Sequence, residues 1–181
     1  MKKKTLWITQ TAVMLALLIV LQWLTKPLGQ IVTGSCVNAV LAIAATFGGL
    51  WSGLTVALCS PVLAFLLGIA PQILTVPAIM AGNSIYVALL VLLCGKDSKN
   101  IVRQIIAWIT ASVAKFVTLY AVVVGLICGV LSESLLASGM LKAPMLKALP
   151  ATFSWPQLFT ALIGGAVALA IVPVLKKALH K

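Results

Sequence analysis

Few side chains in this 181-residue sequence are equipped for chemistry, and their spacing excludes most of it. The acids are Asp97 and Glu133, the one histidine is His180, and the cysteines are Cys36, Cys59, Cys94 and Cys128. No two cysteines form a CxxC and none has a nearby histidine, so metal-ligand spacing is absent. Three of the four lie inside or at the end of apolar runs, where cysteine acts as a small polarizable packing residue. GxSxG, HExxH and an acidic cluster able to hold magnesium are all missing. So is GxxxxGK[ST], hence the chain is not expected to hydrolyse ATP itself. An intramembrane hydrolase or transferase needs at least two convergent polar groups, and the two acids fall on opposite predicted sides of a membrane. We therefore expect no enzyme, no metal and no cofactor.

What stands out instead is a cation in hydrocarbon. Lys115 lies 12 positions after Arg103 in one apolar run. At ~1.5 Å per residue that is about 18 Å along a helix, near a bilayer centre. An ammonium there costs roughly 2.5–3.5 kcal/mol on the lenient insertion scale, and such residues are functional candidates by default. Snorkelling does not reach an interface from that depth. Lys115 is either deprotonated, solvated by carbonyls and water in a cavity, or bound to an acceptor on a ligand. A structural alternative is capping of broken-helix carbonyls near Pro61 or Pro71.

The elements that must position it follow from composition. Hydrophobic residues make up 62% of the chain and charged ones 8%, with mean hydropathy +1.20. Soluble domains run at roughly 45–50% and about 25%. A transmembrane helix takes about 20 residues, so the chain accommodates six. We read residues 1–181 as a single all-α membrane domain, with helices at approximately 6–24, 35–51, 53–67, 74–94, 101–130 and 156–175. Residues 29–34 are expected as a connector, 48–53 as a tight turn, and 131–155 as an irregular connector. A kink is expected at Pro61. The 6–24 stretch is long for a signal peptide, and Thr25-Lys26-Pro27 is no small-x-small cleavage site, so it is taken as the first retained helix.

The formal net charge of +11 suggests a polyanion partner until its placement is considered. Nine of the 13 basic residues are Lys2, Lys3, Lys4, Lys96, Lys99, Arg103, Lys176, Lys177 and Lys181. With six spans these fall on one side, and Lys26, Lys142 and Lys147 on the other. Lys and Arg are retained on the cytoplasmic side, so both termini are expected there. No basic stripe interleaves with aromatics, which argues against nucleic acid.

Small residues four apart recur as Ala12/Ala16, Gly49/Gly53, Ala161/Gly165 and Gly164/Ala168. Such pairs let a second helix approach closely, and most serve packing within one bundle. Ala12-Val13-Met14-Leu15-Ala16 early in the first helix, together with six spans, about 180 residues and no catalytic motif, resembles the substrate-binding S component of energy-coupling factor (ECF) transporters. Gly82-Asn83-Ser84-Ile85-Tyr86 resembles the Gly-Asn in the corresponding helix of many S components. The resemblance covers essentially the whole chain. It implies a multi-pass protein of a prokaryotic plasma membrane that captures a vitamin or related micronutrient. It also implies partners, a transmembrane coupling protein that docks on Ala12 and Ala16 and two ATPase subunits. A stand-alone carrier or channel subunit and a non-transporting assembly protein are the alternatives.

The resemblance places the substrate pocket in the outer half, lined mainly by helices four to six. Candidates by position are Asn38, Gln72, Asn83, Tyr86, Lys115, Tyr120, Trp155 and Gln157, with Gln30 beside them. Each has a plainer reading. Asn38 and Asn83 suit interhelical hydrogen bonds, and Tyr86 and Tyr120 suit packing with a satisfied hydroxyl. Trp155 suits an interface anchor, while Gln30 and Gln72 lie in connectors open to water.

Overall fold

The structure, a computed structural model, describes residues 2–69, 72–94 and 100–179, with side chains from Thr5 to Ala178 within these ranges. Every regular element among the described residues is helical. The elements are α1 (Lys2–Thr25), α2 (Gln30–Leu66), α3 (Val76–Cys94), α4 (Ile101–Leu119), a π-helical segment (Tyr120–Val130), α5 (Ser132–Ala137), α6 (Met145–Phe153) and α7 (Trp155–Leu179). Five described runs are long and apolar enough to cross a membrane: Thr5–Leu28, Gln30–Leu66, Ile73–Cys94, Ile101–Val130 and Met145–Ala178.

The second run has 37 residues. As one straight rod it would be about 55 Å long, against ~30 Å of hydrocarbon. It is not one rod. Gly49 has φ 74° and ψ −171°, the non-helical break in the run. Beyond it, a methyl group built on Gly53 would sit 3.1 Å from Ala45 Cα. Residues eight apart in a straight helix are separated by about 12 Å, so the chain doubles back at Gly49. The expected second and third helices are thus the two arms of α2, residues 30–48 and 50–66. The non-helical backbone falls at Gly49 and not at Pro61.

Two connectors differ from expectation. Residues 30–34 are helical, opening α2, and the neighbouring hydroxyls are satisfied by backbone carbonyls. Ser35 Oγ donates to Ile31 O at 2.6 Å, and Thr33 Oγ1 to Gly29 O at 3.1 Å and Thr25 O at 2.8 Å. In the expected irregular connector, α6 carries Met145, Leu149 and Phe153 at four-residue spacing, an apolar stripe that Pro144, Lys147 and Pro150 disguise. The fifth span also changes pitch, from α to π at Tyr120.

α2 lies at the centre of the bundle, against α1, α3 and α7, while α3 packs on α4 and α4 on α7. The main core gathers Leu18, Leu41, Val56, Tyr86, Val87 and Ala161. A second cluster, at the opposite end from Gly49, joins Ala78, Leu119 and Val123 to Leu141, Leu149 and Phe153 of the 131–155 segment. Glycines set the closest approaches. A methyl on Gly164 would meet Ser35 O at 2.5 Å, one on Gly34 would meet Thr160 Cγ2 at 2.7 Å, and one on Gly82 would meet Leu119 Cγ at 2.9 Å. The α7 small residues are therefore spent on packing inside the bundle.

Candidate functional site

The close contacts of Gly34, Gly82 and Gly164 share a consequence: they draw α2, α3, α4 and α7 around one point, which holds Lys115. Lys115 is only 3% exposed, and Asn38, Asn83 and Tyr86 beside it are fully buried. Its Nζ donates to Asn38 Oδ1 and to Asn83 Oδ1, each at 2.6 Å. It also lies 5.6 Å from the centroid of the Tyr86 ring, within cation–π range. Asn38 Nδ2 donates in turn to Gly34 O at 2.9 Å and Thr160 Oγ1 at 3.4 Å. Thr160 Oγ1 donates to Gln157 O at 3.1 Å. A chain of hydrogen bonds thus runs from α4 through α2 to α7, with α3 as a second branch.

The energetics favour this arrangement without any acid. A hydrogen bond to a charged group contributes about 1.5–3 kcal/mol, so two are of the same size as the insertion cost of the ammonium. Glu133, the acid among the described residues, is exposed in α5. Asp97 and Pro71 lie outside the described residues. Contacts of Lys115 run to the two carboxamides and Tyr86, not to carbonyls near Pro61. Three or more His, Cys, Asp or Glu side chains nowhere converge on a metal-sized site among the described residues.

Four of the predicted candidates, Asn38, Asn83, Tyr86 and Lys115, meet in this cluster. Gln157 borders it through Thr160, its own Nε2 donating to Thr152 O at 3.2 Å. The others lie apart. Gln72 Nε2 donates to Met145 Sδ, tying the connector before α3 to α6. Trp155 is 62% exposed and stacks on Phe116 at 5.6 Å, as an interface anchor would. Tyr120 is 46% exposed and tilts onto the same ring at 5.9 Å, and Gln30 is exposed. Sequence reading missed Thr160, whose signal is a hydroxyl one turn after Gln157 in an apolar helix. It also missed Lys26, whose Nζ donates to Gly68 O at 2.7 Å and joins two connectors.

Tyr86 Oη is buried with no hydrogen-bond partner among the described residues, as are Ser60 Oγ and Ser84 Oγ. Buried polar groups of this kind are uncommon and mark places where a ligand or water completes the set. On α1, Ala12 and Ala16 are exposed, whereas Thr11 and Leu18 are buried. Thr11 Oγ1 and Ser52 Oγ lie 2.8 Å apart and hold the inner face of α1 to α2. A cavity of about 280 Å³ opens at the Gly49 end, lined by α2, α3, α4 and α7 residues that include Trp108 and Lys176.

A family model described as ECF transporter, substrate-specific component matches residues 7–176, nearly the whole chain. Searches of curated proteins and of solved structures gave no match. The chain belongs to the family of ECF transporter substrate-specific components. It is a membrane-embedded multi-pass protein of a class whose members bind substrate. In such transporters the transmembrane coupling and ATPase components are separate partners, and ATP hydrolysis resides in the latter.

Proposed function

We propose that this chain captures a vitamin or related micronutrient at a prokaryotic plasma membrane for ATP-driven uptake. A coupling protein docks on the Ala12/Ala16 face and two ATPase subunits supply energy. The chain crosses the membrane six times with both termini in the cytoplasm. The reversal at Gly49 supports this count, and the nine-to-three bias of basic residues supports the orientation.

The observation that carries the binding role is Lys115, a buried cation held by two neutral carboxamides at the crossing of four elements. An ammonium has three donors, and Asn38 and Asn83 accept two. A substrate carboxylate, phosphate or strongly polarised carbonyl takes the third or displaces an asparagine, with Tyr86 Oη available as a second contact. Leu141, Leu149 and Phe153 pack with Leu119 and Val123, one and two turns beyond Lys115, and we read them as an apolar cover. Substrate enters by displacing that cover, and a closed cover then excludes water and strengthens each polar contact.

Native mass spectrometry of the detergent-purified chain identifies the retained ligand. Calorimetry on Lys115→Met then tests the site: affinity falls at least tenfold while the protein stays folded. Wild-type affinity in folded Lys115→Met would remove Lys115 from the site. Co-purification of the coupling and ATPase subunits separates this reading from a stand-alone carrier, which would be isolated without them.

A further inference from the structure

The cavity near Gly49 is separate from the Lys115 cluster, which lies about 16 Å along α2 from that turn (11 residues from Asn38 to Gly49). Ala42, Leu90, Leu169 and Val172 make it apolar, and Trp108 and Lys176 contribute to its lining. The polar groups in its walls are largely spent on the bundle. Thr46 Oγ1 donates to Ala42 O at 2.8 Å, and Trp108 Nε1 to Ala161 O at 3.3 Å. Water gains little in such a space, since a buried water needs two to four polar partners. Hydrocarbon is the filling that suits these walls.

Charge decides which hydrocarbon. Arg103, Lys176 and Lys177 are the charged side chains described at this end of the bundle, and no acid is described there. Lys176 is half-buried and lines the cavity. In the orientation proposed above this is the cytoplasmic end, where a basic residue in a pocket between membrane helices suits an anionic lipid headgroup. We propose that this cavity binds an anionic phospholipid, its headgroup phosphate on Lys176 and one acyl chain among Leu90, Leu169 and Val172. The site is distinct from the substrate site and does not depend on which solute the chain captures.

Trp108, as one wall, makes the test direct. Trp7, Trp23, Trp51 and Trp155 are replaced by Phe, and the chain is reconstituted in phosphatidylcholine vesicles. A fixed fraction of the lipid is acyl-brominated, as phosphatidylglycerol or as phosphatidylcholine. Brominated phosphatidylglycerol should quench Trp108 at least threefold more strongly, Lys176→Gln should equalise the two, and Val172→Phe should weaken both. Should the Trp replacements unfold the chain, native mass spectrometry of the unmodified protein and of Lys176→Gln reads the same preference from lipid adducts. Equal quenching, or equal adducts, by the two lipids in the parent protein would overturn the proposal. So would loss of the preference when millimolar glycerol 3-phosphate is added, which would make this a site for a soluble anion.

Discussion

Lys115 donates to Asn38 and Asn83 together, and that pairing couples the three side chains in their effect on stability. Removing the lysine leaves Asn38 Oδ1 and Asn83 Oδ1 buried without their donor, although Asn38 Nδ2 keeps its bonds to Gly34 O and Thr160 Oγ1. Removing an asparagine leaves the lysine amine with half its acceptors. An unsatisfied buried polar group costs about 1–3 kcal/mol, and more when charged. Asn83→Leu and Lys115→Met should therefore each lower the unfolding free energy by about 1–3 kcal/mol. The Lys115→Met/Asn83→Leu double variant should recover part of that loss. Thermal unfolding in detergent with the double-mutant cycle checks this; additive single effects would mean that Lys115 is not held by Asn83. Lys115 was readable as special because an ammonium is rare in an apolar run. Asn38 and Asn83 were candidates through the family resemblance alone, because nothing in the sequence spacing says that residues 38, 83 and 115 share a depth.

Glycine at position 49 decides how many elements there are. Its φ of 74° with ψ −171° belongs to a region essentially confined to glycine, and a methyl there would meet nothing within 4 Å. Gly49→Ala should thus cost about 1–3 kcal/mol through backbone strain alone. Gly125→Ala, whose methyl makes only one contact at 3.9 Å, should be neutral. Denaturation of the two variants compares them directly, and equal stability would remove the turn. At the same scale, α1 has an inner face with Thr11 and Leu18 and an outer one with Ala12 and Ala16. Ala16→Trp should leave ligand affinity unchanged and abolish uptake in cells carrying the partner subunits. Loss of affinity in the purified variant would place that face inside the bundle. The helical spans were legible from hydropathy. α6 was not, since its prolines and lysine mask an apolar stripe that appears only once a neighbouring surface exists to bury it.

For the whole molecule, the proposed orientation puts the Gly49 end toward the cytoplasm and the 131–155 segment outward. On a cysteine-free background, Ser138→Cys should label with a membrane-impermeant maleimide added outside, and Ala178→Cys only after permeabilisation. Labelling of both from outside would undo the six-span arrangement. By itself the sequence determined the membrane as solvent, the approximate spans, the absence of a nucleotide-binding motif and the family resemblance. Each of these depends on local composition or on spacing along one helix, which chain order preserves. Tertiary structure alone decided that Asn38, Asn83, Tyr86 and Lys115 converge while Gln72, Tyr120 and Trp155 stand apart. It also decided that a cavity opens beside Lys176. Those facts depend on the rotation of each helix about its axis and on how closely neighbours approach. Both are set by contacts such as Gly164 against Ser35 and Gly82 against Leu119, between residues far apart in the chain.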